Sequence, residues 1–541
     1  MAGPRERPSY DDARARFSWD ASLAALRWTR DGDVNLADTI AGRHAASGHP
    51  ALRWFGKAGE ERTLRFGDLA RLANRFASFL AATGARKGDR VAGFLPRVPE
   101  TLAIMLGTWK IGAVYVPIFT GFGPDAVLFR VRHSGARVLC THHEYRDRVP
   151  SLPADTSVVT LGGDARDIAF DDAIAGRPDD APSVPCRRDD PAVLLYTSGS
   201  TGPPKGVAIA TNFVLAVHPW ITAGVDLRAD DVFWPTGDPG WGYGLICYMA
   251  ALAMGVGVVC HEAAPAADFA LRRISYLGIT NLATTPTMLR SIMALGESEV
   301  RKHPYCVRRA SSCGEPLNAE VVNFFRAAWD VTVMDHYGSS EQGLVVGNLA
   351  AVDMEVKPGS MGRPMPGARL AIVDDDGAEV PANTVGHIAL APSEIGYYSL
   401  GYWNDPERTR ELYRNGWMII GDLGRCDAGG SFWFEGRADD VIKSAGYRIG
   451  PFEIESVILE HPDVAEAAVV AKPDALRGHI VKAFVVLRDG VAARPTLRDE
   501  LVDLVKTRAG RHAFPREVEF LGALPKTETG KIQRFVLRGR G

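Results

Sequence analysis

The chain lacks any C-x-x-C pair. Its seven cysteines, an odd number, are scattered as Cys140, Cys186, Cys247, Cys260, Cys306, Cys313 and Cys426. That argues against a disulfide framework or a structural zinc site and for free thiols in a reducing compartment. Charge of one sign is also missing. A formal net charge of −3 leaves no electrostatic footprint for nucleic acid or an anionic membrane, so a polyanionic ligand must be held by local groups. The N-terminal stretch MAGPRERPSYDDARARFSWD has no apolar core of a secretory signal, and Glu6, Asp11 and Asp12 argue against a transit peptide; the cytosol is expected. One run, 241–260, has no charged side chain and is about long enough to span a bilayer. Gly242, Gly244, Gly255 and Gly257 interrupt it, which predicts a core helix followed by a buried strand over GVGVVC. No internal repeat or low-complexity tract is found.

What is present is ordinary for a soluble globular protein, with 46% hydrophobic and 23% charged residues. A chain of 541 residues exceeds one core and predicts at least two domains. Between 64 and 160, helical patterns alternate with short apolar strands (RVAGFLP, TLAIMLGTWKIGA, VYVPI, ARVLC, SVVTL), the pattern of βα units around a mostly parallel sheet. Residues 164–190 are acidic and Pro-containing and predict a loop. The alternation resumes with AVLLY, and 368–436, rich in Gly-Asp turns, predicts a β-rich subdomain. After GRADD, a helix over PFEIESVILEHP, the strands AEAAVVA and VKAFVVL and a helix over LRDELVDLVKTR predict a compact α+β unit. The expected fold is therefore α/β. A large N-terminal domain (1–438) contains parallel-sheet subdomains and a β-rich subdomain, and a small α+β domain (439–541) follows.

The strongest motif is TSGSTGPPKG, directly after the strand AVLLY. Four hydroxyls, three glycines and Lys205 in one short run suit backbone N–H groups approaching phosphate oxygens beside a compact positive charge. It is not a Walker A loop, since no G-x-x-x-x-G-K-[ST] can be read in it. The plain alternative is a surface loop. Taken singly, Glu341 would be a solvated acid, Tyr337 a core aromatic, Asp422 and Arg437 turn residues, and Lys531 an exposed charge.

TSGSTGPPKG resembles the phosphate loop of the acyl-adenylate-forming superfamily. GEP at 314–316, YGSSE at 337–341, GWMIIGD at 416–422, GRADDVIKSAGYRIGPFEIE at 436–455 and PKTETGK at 525–531 match further motifs of that superfamily, in its order. The resemblance covers the chain from about residue 50 onward and is strongest to the AMP-forming acetyl and medium-chain acyl-CoA synthetases. It implies ATP-dependent activation of a carboxylic acid, then transfer to coenzyme A. Two anions meet in the first step, so positioning and preorganised positive charge must carry it. The resemblance assigns the phosphates to Thr197, Ser198, Gly199, Ser200, Thr201, Gly202 and Lys205. Tyr337 is assigned to the adenine face, with Gly314, Glu315, Pro316 and Asp335 lining the same pocket, and His336, Gly338, Ser339 and Ser340 to the nucleotide more generally. It makes Glu341 the Mg²⁺ ligand, Asp422 and Arg437 the ribose partners, and Lys531 the catalytic lysine. Mg²⁺ suits this because it prefers one or two carboxylates plus phosphate oxygens. A small domain turning about Asp439 would withdraw Lys531 and bring Ala445, Gly446 and Arg448 to the CoA, with Arg448 meeting phosphate. Thr529 stands where serine is common, and Ser339 and Ser340 where glutamine and threonine are usual.

DPGWGYG at 238–244 resembles the stretch bordering the acyl tunnel, which places Trp241 in the acyl pocket. Where acetate-specific members carry tryptophan this chain has Gly338, so an acid larger than acetate, medium-chain or branched/aromatic, is expected; Trp241 filling that space is the alternative. Acetate or propionate as substrate, a carrier-protein thiol as acceptor, a luciferase-like oxygenase and a non-enzymatic nucleotide-binding scaffold remain as rival readings. No carrier domain is expected after residue 541, so a carrier protein would have to act in trans. The expected partners are the acid, ATP and CoA, with no nucleic acid and no integral membrane.

Overall fold

The computed structural model describes residues 7–197, 204–263, 266–396, 398–438, 440, 442–444, 447–474, 478–509, 513–526 and 532–540. Its first large sheet has eight strands. Strands Arg90–Phe94, Val114–Pro117, Ala136–His142, Ser157–Leu161 and Pro191–Thr197 run parallel, and Lys205–Ala210 and Ser399–Tyr402 close one edge antiparallel. Their crossover helices are punctuated as the sequence requires. Helix Pro124–Ser134 opens with Pro124 at its first position and closes on Gly135 at φ 64°, where a side chain would be strained. Helix Pro99–Lys110 also opens with proline, and its residues are buried on every side, as expected of a helix inside a large core.

The second sheet has nine strands. Phe233–Pro235, Val258–His261, Asn281–Thr284, Arg309–Cys313 and Val333–Ser339 are its parallel centre. The uncharged run divides as expected: helix Gly242–Ala253 is followed by the buried strand Val258–His261, with Gly255 at φ 77° in the turn between. Among the described residues, no helix is long and apolar enough to cross a membrane. The β-rich region forms a five-stranded sheet around Trp417–Cys426, which pairs with Gly386–Leu390 and Phe432–Arg437. The segment read as a loop, 164–190, instead holds strand Ile168–Ala169 and helix Phe170–Ile174. Phe170 and Ala173 are buried in the first core, so two apolar side chains order a segment whose acidic composition hides them.

The C-terminal elements form a separate sheet around the long hairpin Val464–Asp474 and Gly478–Leu487. Helices Pro451–Leu459 and Pro495–Arg508 supply Ile454, Ile458, Leu497, Leu501 and Val505 to a core of its own. Inside it, the Arg534 guanidinium donates to both carboxylate oxygens of the buried Glu455, at 2.7 and 2.8 Å. The Val469 amide donates to Glu455 Oε1 at 2.8 Å, so this buried charge is paired and hydrogen-bonded.

Candidate active site

In open α/β sheets ligands bind beyond the carboxyl ends of the parallel strands. The motif residues emerge there. Strand Pro191–Thr197 delivers Thr197 to the phosphate-loop motif, and Lys205 begins the antiparallel return strand, with Thr197 and Lys205 facing each other across the hairpin. Ser198, Gly199, Ser200, Thr201 and Gly202 lie outside the described residues, as do Asp439, Ala445, Gly446 and Lys531; Arg448 is described as backbone in strand Tyr447–Ile449, without its side chain. Strand Arg309–Cys313 ends at Gly314, whose φ of 96° turns the chain where a side chain would be strained. Strand Val333–Ser339 ends in the turn that carries Glu341, closed by the Gln342 amide donating to Ser339 Oγ at 3.0 Å.

Three of the assigned groups form one hydrogen-bonded chain. The Tyr337 hydroxyl donates to Asp422 Oδ2 at 2.7 Å, and Arg437 Nη1 donates to Asp422 Oδ1 at 2.8 Å. Asp422 and Arg437 face each other across adjacent antiparallel strands, so register alone sets this ion pair. Each Asp422 oxygen retains acceptor capacity, so the carboxylate can still receive two hydroxyls of a vicinal diol. Burial, reinforced by the Asp422 charge, pushes the Tyr337 phenol well above its ordinary pKa and keeps it a donor.

Beside them, Tyr402 donates its hydroxyl to Glu341 Oε1 at 3.0 Å, and Ser399 Oγ donates to the Glu341 carbonyl at 2.7 Å. The Lys205 ammonium lies 5.1 Å from the centre of the Tyr402 ring, within cation–π range. Burial, with the Glu341 charge beside it, raises the Tyr402 phenol, so it too stays protonated. Glu341 thus keeps Oε2 without a hydrogen-bond partner among the described residues. An anionic oxygen donor with one oxygen held and the other available suits a hard divalent cation.

Other assigned residues point elsewhere. The Glu315 carboxylate accepts from Thr287 Oγ1 at 2.7 and 2.9 Å and from Arg290 Nη2 at 2.6 Å, so its charge ties helix Pro286–Met293 to the loop. His336 is buried between elements: Trp220 Nε1 donates to its Nδ1 at 3.0 Å, and its Nε2 donates to the Asn348 carbonyl at 3.2 Å. Burial pushes its pKa down to about 4, so the ring is neutral with the proton on Nε2. Its neighbours along the strand, Asp335 and Tyr337, face the other way, as strand alternation demands. Asp335 is buried, its Oδ1 has no hydrogen-bond partner among the described residues, and desolvation raises its pKa strongly. The backbone of His336 and Leu317 acts on the same carboxyl, so it is Oδ1 that is left to exchange a hydrogen bond with a bound ligand.

Gly338 has a tighter role than its sequence position suggests. A Cβ there would lie 2.1 Å from the Gly343 carbonyl oxygen and 2.9 Å from Leu344 Cα, both backbone of the adjoining hairpin strand. The direction left open by the missing side chain is occupied by the chain itself. Trp241 caps helix Gly242–Ala253, and its turn is held by a residue the motifs did not point to. Arg97 Nε donates to Asp238 Oδ2 at 3.1 Å, while Asp238 Oδ1 accepts from the Gly240 amide at 2.7 Å. Tyr402, Thr287, Arg290 and Arg97 were all missed in the sequence. The glycine-flanked aromatic GYW and the arginine in LPRVPE were the available signals, and neither identifies its partner. Elsewhere, metal-ligating atoms of His142, His143 and Glu144 come within 4.8 Å of one another, but Lys57 Nζ already occupies Glu144 at 2.8 Å.

Comparison with known proteins agrees with this geometry. Residues 41–403 match the AMP-binding enzyme family and residues 453–531 the AMP-binding enzyme C-terminal domain. The chain is 35% identical to an acetyl-coenzyme A synthetase of Bacillus subtilis over 99% of its own length and 96% of the relative's. Among solved structures, an acyl-CoA synthetase of Brucella canis is 38% identical with a TM-score of 0.78, covering 98% of this chain and 99% of that one. An anthranilate CoA ligase, AuaEII, in complex with anthranoyl-AMP is 29% identical with a TM-score of 0.85, covering 95% and 98%. A chain whose matches to both domains and to full-length relatives run through the phosphate-loop hairpin, the Glu341 turn and the Asp422–Arg437 pair belongs to the AMP-binding enzymes, among the AMP-forming acyl-CoA synthetases.

Proposed function

We propose that the protein couples ATP to thioester formation between a free carboxylic acid and free CoA, through an enzyme-bound acyl-adenylate, in the cytoplasm. The observation that carries this is that Lys205 and Glu341 meet on Tyr402 while Tyr337 and Arg437 meet on Asp422, with Glu341 close enough for its charge to act on the Tyr337 phenol. These are the groups needed to hold a triphosphate, a ribose and a divalent ion at once. Glu341 would hold Mg²⁺ together with phosphate oxygens, and the ion would supply charge neutralisation as pyrophosphate leaves. Asp422 and Arg437 orient the ribose, and Lys205 meets the phosphates at the mouth of the hairpin. Lys531 would bridge carboxylate and α-phosphate, and Gly446 and Arg448 would receive CoA once the unit beginning near Asp439 turns. Asp440, next to that proposed hinge, is paired with Arg538 at 2.8 Å, so the segment after the hinge is tied to the small domain.

For the acid, a substrate larger than acetate remains the proposal. Its support is the relationship to an enzyme that binds anthranoyl-AMP rather than the space at Gly338. A panel of acetate, propionate, butyrate, hexanoate, isobutyrate and benzoate, read as pyrophosphate release with and without CoA, tests both points. Thioester from a medium-chain or aryl acid supports the proposal. Acetate as the best substrate overturns the acid size, and pyrophosphate release without any CoA thioester overturns the acceptor.

A further inference from the structure

Tyr402 occupies a place that no motif explains. It ends strand Ser399–Tyr402, which pairs antiparallel with Lys205–Ala210, Tyr402 opposite Val207. Its backbone amide donates to Thr409 Oγ1 at 2.9 Å, which anchors the main chain from which the ring projects. The same short strand grips Glu341 twice, through Ser399 Oγ on the backbone carbonyl at 2.7 Å and the Tyr402 hydroxyl on Oε1 at 3.0 Å. The face of the same ring lies 5.1 Å from the Lys205 ammonium. One side chain therefore touches both the carboxylate proposed for the metal and the lysine proposed for the phosphates. These charges would otherwise be free to pair with each other and collapse across the site.

We propose that Tyr402 is a positioning residue: its hydroxyl aims Glu341 Oε2 at the divalent ion, and its ring holds Lys205 apart from Glu341 so that Mg²⁺ and triphosphate enter a site already spread open. The inference rests on Glu341 as the metal ligand. Partners that orient a metal ligand typically contribute about 10- to 100-fold to metal affinity, and a desolvated cation–π contact adds a smaller increment.

Phenylalanine separates the two roles, because it keeps the ring and removes the hydroxyl. Mn²⁺, which shares the preference for oxygen ligands, is titrated into the full-length enzyme with ATP and followed by electron paramagnetic resonance. AMP binding without metal is followed by calorimetry. Tyr402→Phe is expected to weaken Mn²⁺ binding about tenfold or more and to leave metal-free AMP affinity and the melting temperature unchanged. Tyr402→Leu is expected to weaken metal-free ATP binding as well, since Lys205 loses the ring. Glu341→Gln serves as the reference. If Glu341→Gln weakens Mn²⁺ binding while Tyr402→Phe does not, the positioning role is refuted and the metal assignment stands. If neither variant changes Mn²⁺ binding, the assignment of Glu341 falls and takes this inference with it. An equal loss of AMP affinity in Tyr402→Phe refutes the inference too, because it would mean a general structural defect.

Discussion

Alanine at position 338 isolates what one methyl group does to the Glu341 turn. The added Cβ would stand 2.1 Å from the Gly343 carbonyl oxygen, 2.9 Å from the Gly343 carbonyl carbon and 2.9 Å from Leu344 Cα. Ordinary van der Waals separation at such a contact is about 3.5 Å or more, so the two strands must part by roughly an ångström. All three atoms belong to the backbone, so no rotamer change relieves them. Overpacking of this kind costs about 1–3 kcal/mol. The larger consequence is catalytic. Glu341 lies in the turn between Gly338 and Gly343, and a misplacement of about 1 Å can cost on the order of a hundredfold in rate. Gly338→Ala should therefore lower the melting temperature by a few degrees and depress acid-dependent pyrophosphate release for every acid in similar proportion. Gly338→Trp should do the same more severely. Thermal unfolding by scanning fluorimetry and pyrophosphate release on acetate, butyrate and hexanoate read both effects. The steric reasoning is refuted if Gly338→Ala melts and turns over like the parent. It is refuted differently if Gly338→Trp folds normally and gains acetate at the expense of hexanoate, which would make the position a wall of the acyl tunnel.

Lys531→Ala should lower acid-dependent pyrophosphate release at least about a hundredfold and largely retain thioester formation from supplied acyl-adenylate; equal loss in both half-reactions would end that role for the lysine. If Asp422 holds the ribose as proposed, Asp422→Asn should weaken those charge-assisted bonds and release Arg437, raising the KM for ATP about tenfold or more with the KM for CoA unchanged; an unaltered ATP dependence would count against the ribose assignment. Acidification should destabilise the fold well before ordinary carboxylates titrate. Burial holds His218, His261 and His336 down to about 4, against about 6.5 when unfolded. Their contribution is fully present above pH about 6.5 and is lost as pH falls toward 4, by on the order of 3 kcal/mol for His336 alone. Asp335 and Glu320, whose raised pKa values make the folded state take up protons early, work in the opposite direction but are two groups against these three histidines. A melting temperature that stays flat from pH 7 to pH 5 would contradict this.

Much of the architecture is legible because its signals are local. Proline and glycine at helix ends, apolar runs of strand length and the uncharged helix before GVGVVC each lie within one window of sequence. The hairpin that carries the TSGSTGPPKG motif and the order of the motifs are equally local, since that motif's glycines, hydroxyls and lysine stand in one stretch. Helix Phe170–Ile174 escaped because it is short, acidic in its first turn and anchored by only two buried side chains.

The contacts that organise the site were not legible. Strand Val333–Ser339 is buried on both faces through Tyr337, so hydropathy carries no mark of which side faces the ligand. Which side of the sheet His336 and its neighbours took depended on the Trp220 indole and the Asn348 carbonyl waiting behind it. Tyr402 meets Glu341 across 61 residues, Arg97 meets Asp238 across 141, and Tyr337 meets Asp422 across 85. By itself the sequence determined the kind of chemistry, because residue types and short-range spacing set which ligands a loop can hold. Tertiary structure alone decided which of those side chains meet one another, which brace the loops, and that the direction of a side chain at Gly338 is filled by its own hairpin. Those outcomes follow from sheet register and strand crossing, which join residues that no local window contains.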